Sequence, residues 1–245
     1  MTIRCLVVCE GSSDFSMIEG VMKHVASAHG KNIEAILLEP QYDATTGKHD
    51  KFGYTQIRAW CKKASYLQQT QGRDWIGQQL ALSNADLLLI HMDTDIAQNL
   101  ELNNSLFSGD FKSRKSWCNE SLNAWLGLAK GGDCYYVLPT WQIESWILAT
   151  YDEVNSPKVF PSAVADYESI QDVETRLLSL GYKEDLQKNG RIYKERSLYS
   201  KDPNYLQRLQ NNFSIAAERC DELHDFQVLL TKVINKDSHL CENDI

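Results

Sequence analysis

This chain has no Cys-x-x-Cys pair, and its seven cysteines are odd in number and scattered. That argues against a disulfide framework, and it suits a reducing compartment. Positive charge is also in short supply: 25 Lys and Arg stand against 33 acids, leaving −8 and a pI near 5.3. A generic polyanion binder working through bulk charge is therefore excluded, and any nucleic-acid partner has to be met locally. No apolar run reaches the roughly 18 residues of a membrane span, so no membrane association is expected. The opening "MTIRCLVV" enters a strand pattern without the n-region and cleavage site of a signal peptide. Internal repeats and low-complexity tracts are lacking too. The expected setting is cytoplasmic.

What is present is an alternation of strands and helices. At 245 residues and 43% hydrophobic content the chain can bury a sizeable core, as one domain with an appendage or as two small domains. "IRCLVVC" is a continuous apolar run of the kind found in buried parallel strands, and Ile18, Val21, Met22 and Val25 follow it at helical spacing with Gly30 as a stop. "IEAILLEP" reads as a second strand ended by Pro40. Residues 41–51 read as loop, and helices are expected around 54–67 and 72–83. "ADLLLIHMD" is the strongest strand signal. "SLNAWLGLAK" reads as a helix closed by Gly131 and Gly132, and "CYYVLP" as the next strand. Strands separated by helices imply βαβ crossovers and a parallel sheet flanked by helices. Beyond Tyr151 the pattern turns polar, with helical periodicity in "VETRLLSLGY" and "YLQRLQNNFSIAAERC" and a frayed tail at "KDSHLCENDI". The expected division is 1–150 as an α/β domain and 151–245 as a mainly helical C-terminal region.

In an open parallel sheet, ligands gather at the carboxyl ends of the strands. Acids fall there repeatedly. Glu10 follows the first strand, Asp93 and Asp95 end the "LLLIHMDTD" strand, and Glu144 follows "CYYVLP". Residues two apart on an extended chain share a side, so Asp93 and Asp95 are expected to face one cation together. Converging carboxylates repel one another unless a cation compensates them; Mg²⁺, with Mn²⁺ as a substitute, takes one or two carboxylates and completes its shell with water and phosphate oxygens. Such a site suits phosphoryl chemistry, with one metal or two.

Glu10-Gly11 after the first strand, Asp14 three positions beyond the glycine, and Asp93-Thr94-Asp95 after a later hydrophobic strand resemble the TOPRIM signature of topoisomerases, bacterial primases and OLD-type nucleases. The late "LPTWQIESWILA" segment and helical tail look more like the small stand-alone TOPRIM-like proteins encoded beside ABC-type ATPases in bacterial antiphage systems. The resemblance covers about residues 1–150. It implies a Rossmann-like TOPRIM fold, a metal-dependent nuclease acting on DNA or RNA, tRNA included, and an ABC-type ATPase partner, with homo-oligomerisation left open. It also implies roles: Glu10 as metal ligand or general base, Asp93 and Asp95 as holders of Mg²⁺, Asp14 and Glu144 as further metal ligands. The interval from Glu10 to Asp93 is long for a minimal TOPRIM domain, so 41–83 is expected to be an inserted helical segment. No tyrosine-bearing topoisomerase region is recognisable, which makes strand passage unexpected.

Each residue has a plainer reading. A lone Glu-Gly after a strand is ordinarily a turn, Asp14 suits a helix cap, and Glu144 suits the first turn of a helix. Trp141 and Trp146 suit packing. Asp-x-Asp also ends a strand in haloacid-dehalogenase phosphatases, but nearer the N-terminus and with Thr or Val where this chain has Ala97. Receiver domains have an acidic pair and a lone phosphoacceptor, which Asp93 and Asp95 fit poorly; a metal-dependent glycosyltransferase stays open but leaves Glu10-Gly11 without a role. His91 precedes Asp93 on the strand and is expected to face the other side, and His239 with Cys241 lacks partners for zinc. Local positive charge occurs in "FKSRKSW" (Lys112, Arg114, Lys115, beside Trp117) and in "LQKNGRIYKERSLYSK", where Lys188, Arg191, Lys194 and Arg196 interleave with Tyr193 and Tyr199. Cations for phosphates and rings for unpaired bases suit single-stranded nucleic acid, although a solvated face explains such runs as well. Lys201 is a candidate for stabilising a charged transition state. A different class remains open: a non-catalytic TOPRIM-like adaptor that retains the acids for fold or for a regulatory metal.

Overall fold

The computed structural model describes residues 2–43, 48–49, 52–72, 74–194 and 205–240. Four strands form one parallel sheet: β1 (Thr2–Val8), β2 (Asn32–Glu39), β5 (Leu87–His91) and β8 (Cys134–Val137), in the order β2-β1-β5-β8. Two short antiparallel ladders accompany it, β3 (Tyr42–Asp43) with β4 (Lys48–His49) and β6 (Glu101–Leu102) with β7 (Ser105–Leu106). The segment expected to be featureless loop thus carries a two-residue ladder.

The parallel strands read as unbroken apolar runs because both their faces are covered. Ile3, Cys5, Val7, Leu87, Leu89 and Val137 point to one face, where α1 (Ser12–Ala28) packs together with the C-terminal helices α7 (Leu206–Asn211), α8 (Phe213–Arg219) and α9 (Asp221–Leu240). Leu6, Val8, Leu88 and Ile90 point to the other, against α2 (Tyr54–Gln71), α3 (Trp75–Ser83) and α4 (Phe111–Leu126). The C-terminal helices therefore share the core cluster of β1: Phe213, Leu223, Phe226 and Leu230 are buried in it beside Val7 and Val21. Gly20 marks how closely they approach, because a Cβ there would lie 2.4 Å from Leu206 Cδ2. Trp146 is fully buried and stacks on Phe226, in line with the packing role expected of it.

Several boundaries differ from expectation. α4 ends at Gly127, whose φ of 53° is open to glycine at little cost, and a 3₁₀ turn (Gly127–Ala129) runs on before Gly131 is reached. The helix α9 runs through Leu240 where a frayed tail was expected from Lys236; residues 241–245 lie outside the described residues. Two short helices, α5 (Ser145–Leu148) and α6 (Val173–Ser179), complete the chain. Cys5, Cys9, Cys61, Cys118, Cys134 and Cys220 are all free thiols. Among the described residues no helix is long and apolar enough to cross a membrane.

The strand order matters for function. The chain starts at β1, moves outward to β2, then crosses back to β5 on the other side of β1 and continues outward to β8. The direction of winding reverses between β1 and β5, and the crevice at such a switch point is where open α/β sheets bind ligands.

Candidate functional site

Glu10 and Asp93 emerge on either side of that switch point. Glu10 Oε1 accepts a hydrogen bond from the Asp93 backbone N–H at 3.0 Å, so the exit of β5 is tied to the exit of β1. Asp93 Oδ1 in turn accepts from the Ile143 N–H at 3.0 Å, which brings in the segment following β8. The chain does not stay extended after Asp93, as the same-side argument for Asp93 and Asp95 assumed. It turns into a 3₁₀ helix (Thr94–Asn99), and Asp95 is set by its own N–H, which donates to the Trp141 carbonyl at 2.8 Å. Trp141 holds φ at 66°, a strained conformation for a bulky side chain. Its N–H donates to Thr94 Oγ1 at 2.9 Å, and the Arg114 guanidinium lies 3.9 Å from its ring centroid. Arg114 also donates to the Thr94 carbonyl at 3.0 Å and to Gln98 Oε1 at 3.1 Å. This buried arginine therefore clamps the Asp-Thr-Asp turn from beneath; it does not face solvent as a phosphate-binding cation would.

Asp14 is buried in the first turn of α1, whose cap is Gly11; the Asp14 carboxylate accepts from Ser13 Oγ at 3.2 Å and makes no capping bond. Glu144 is fully buried, and it does not cap α5 either: its Oε1 lies 2.9 Å from Lys194 Nζ. Burial pushes the Glu10 carboxyl well above the usual range, and the charges of Asp93 and Asp14 add to the rise. Asp14 is raised by burial and by Asp93, against an opposing effect from His91. Asp95 is pushed up to about 6, by burial first and by Asp93 second, while Arg191 and Lys194 pull the other way. The residue as a whole is exposed, and water screens part of this effect.

His91 lies on the Asp93 side of the strand end, contrary to expectation: its Nε2 is 3.3 Å from Asp93 Oδ1, a contact too poorly directed to be a hydrogen bond. Burial works against its charged form, but Asp93, Asp14 and Glu144 outweigh burial and raise its proton affinity.

A strap of residues 183–194 crosses over this rim. Its two arms are joined by the Asp185 N–H to the Arg191 carbonyl and the Tyr193 N–H to the Lys183 carbonyl, both 2.8 Å. The buried Glu174 of α6 holds it, accepting from Arg191 Nη1 and from the Ile192 N–H at 2.8 Å each. At its end Lys194 reaches Glu144 at 2.9 Å and Glu174 at 3.3 Å. Burial resists its charge, but Glu144, Asp93, Glu174 and Asp14 prevail and raise its pKa. The basic, aromatic segment is thus divided. Arg191 and Lys194 are paired to acids, Tyr193 has the Lys183 ammonium 4.3 Å from its ring centroid, and Lys188 is exposed; Lys188, Arg191, Tyr193 and Lys194 all line a cavity of about 590 Å³ with Ser12. Arg196, Tyr199 and Lys201 lie outside the described residues.

The donors gathered at the rim are hard carboxylate oxygens, which fits a divalent cation such as Mg²⁺ in kind. Among the described residues, however, no three His, Cys, Asp or Glu side chains stand in an arrangement able to grip one metal ion. Glu10 and Asp93 are each engaged with a backbone N–H, and the positive charge beside Glu144 is the ammonium of Lys194. No family model, curated protein or solved structure matches this chain.

Of three rim residues, Glu174 was missed in the sequence, while His91 was assigned to the other side and Arg114 to a local basic patch, although each left a trace of its actual place. His91 shares the parity of Asp93. Glu174 lies on the stripe of Leu177 and Leu178, and Arg114 on that of Cys118, Ser121 and Trp125; a charge on a buried helical stripe signals a paired or clamping role.

Proposed function

We propose that this chain is a Mg²⁺-dependent nuclease of the TOPRIM type that hydrolyses phosphodiester bonds in DNA or RNA, acting in a bacterial antiphage module beside an ABC-type ATPase. The supporting observation is the pairing of Glu10 with Asp93 at the switch point of a parallel sheet, amid acids whose proton affinity is raised. Carboxylates that cling to protons for want of positive charge are ones that a dication relieves. Glu10, Asp93 and Asp95 would hold the cation, with Asp14 and Glu144 beside them. Bound there, it would polarise the phosphoryl group and lower the pKa of a coordinated water. The chain's own groups would do the rest: Glu10 takes up the proton of the attacking water, Lys188 meets a backbone phosphate, and Tyr193 offers a ring to an unpaired base. The ATPase partner rests on the resemblance alone.

A second reading is favoured by one observation, the ion pair of Lys194 with Glu144. In a non-catalytic adaptor that pair would be the permanent answer to the rim's charge. Incubating the protein with plasmid, single-stranded oligonucleotides and tRNA, in Mg²⁺, Mn²⁺ or a chelator, separates the two. The nuclease reading expects metal-dependent cleavage that Asp93→Asn abolishes; cleavage of none of these substrates, or cleavage indifferent to Asp93→Asn, favours the adaptor.

A further inference from the structure

The rim already has a cation among its acids, and it is covalently attached to the chain. Lys194 Nζ stands 2.9 Å from Glu144 Oε1 and 3.3 Å from Glu174 Oε1. The charges of Asp93 and Asp14 also favour the ammonium. The side chain is not sealed in: it keeps 28% of its exposure. It also borders the cavity of about 590 Å³ lined by Ser12, Lys188 and Arg191. Beside the buried Glu144 lies open space large enough to receive the ammonium, with Glu174 and Asp185 in its lining. The strap that carries it is held through Arg191 and the Ile192 N–H, so the lysine side chain can leave without the strap coming loose.

From this juxtaposition we propose that Lys194 is a tethered competitor for the divalent cation, an autoinhibitory contact that holds the rim in a charge-compensated state until the ammonium swings into the adjoining cavity. The inference rests on the metal reading above. The ammonium on Glu144 and a cation on Glu10, Asp93 and Asp95 would share one group of acids and repel each other at a range where water screens poorly, so occupancy by one opposes occupancy by the other. A device of this kind keeps a hydrolytic centre quiet in a cell where Mg²⁺ is always available.

The test is calorimetric titration of Mn²⁺ into the full-length chain and into Lys194→Met, which keeps the stem of the side chain and removes its charge. The variant is expected to bind Mn²⁺ at least about tenfold more tightly than the parent. Lys194→Arg, which keeps the charge, is expected to bind no more tightly than the parent. Equal affinity in parent and Lys194→Met overturns the proposal and leaves the metal reading standing; weaker binding in Lys194→Met overturns it too, by making Lys194 a support of the metal site. No binding by any variant overturns the proposal together with the metal reading. Circular dichroism checks the fold of each protein. Should Lys194→Met fail to fold, Lys194→Gln, which still donates a hydrogen bond to Glu144, carries the same expectation and the same refutations.

Discussion

Two regions of this molecule gather carboxylates, and burial raises the proton affinity of acids in both, including Glu168 and Glu222 in the second, but they differ in how the charge is answered. At the ends of β1 and β5 the acids lie at the switch point of the sheet, and the proton affinities of Glu10, Asp14 and Asp95 are raised together. Between α4 and α9 another group lines a cleft of about 630 Å³, among them Asp166, Glu168, Glu222 and Asp225. Here the one deeply buried acid, Glu222, accepts the Leu138 N–H at 2.9 Å and pairs with Lys115, which also reaches Asp225 at 2.9 Å. Asp221 and Asp225 stand in water, which screens them. Counting acids would rank the cleft with the rim. What distinguishes the rim is convergence under burial, at a place where the fold exposes strand ends.

The sharpest way to break this contrast is to remove one charge from each region. Asp93→Asn or Glu10→Gln should lower metal-dependent cleavage on the order of 10²–10⁴-fold, whereas Glu168→Gln in the cleft should leave the initial rate unchanged. Equal loss in both regions would mean that the two clusters do not differ in kind.

The strap offers the next largest effect. Glu174→Gln deprives Arg191 and Lys194 of a buried counter-charge and weakens the bond to Ile192, so urea unfolding should show a loss of about 1–3 kcal/mol, moderated by the exposure of Arg191. A cleft residue in the open, as in Asp225→Asn, should change stability by less than about 0.5 kcal/mol.

The contrast also has a pH signature. A carboxyl whose folded pKa lies above its unfolded value binds more protons folded than unfolded between the two, so stability falls as pH rises through that window. For Asp95 the window runs from 3.8 to about 6, and for Glu10 it starts at 4.5 and extends well above. Metal-free protein should lose stability as pH rises across this range, and Glu10→Gln should flatten the decline; thermal unfolding at a series of pH values measures both. The smallest effect belongs to Lys188, exposed on the cavity wall. Lys188→Ala should leave stability within about 0.5 kcal/mol and reduce the slope of log affinity against log salt for single-stranded DNA by about 1. An unchanged slope would make Lys188 plain solvated surface.

How far the sequence was legible follows from which forces are local. β1, β5 and β8 were readable because strands covered on both faces are apolar throughout, and the acids just past them had to land on one rim once the sheet was parallel. The stop of α4 was misplaced because two glycines at 131–132 outweighed the single Gly127, whose positive φ does the work. His91 was set on the wrong face although it shares the parity of Asp93. The inward turn of Arg191 and Lys194 could not be read at all: it depends on Glu174 and Glu144, 17 to 50 residues away in the chain, and a run of basic residues carries no record of which acids it will meet. The specific family was not legible from fold geometry either, since a four-stranded parallel sheet flanked by helices is shared by many chemistries.

The measurement that bears most directly on the central claim is a crystal structure of the protein soaked in Mn²⁺, with the ion located by its anomalous scattering. The account predicts a peak between Glu10 and Asp93, with Asp95 drawn toward it and the Lys194 ammonium parted from Glu144. An empty rim with the Lys194–Glu144 pair intact at saturating Mn²⁺, or a peak confined to the cleft between α4 and α9, would contradict it.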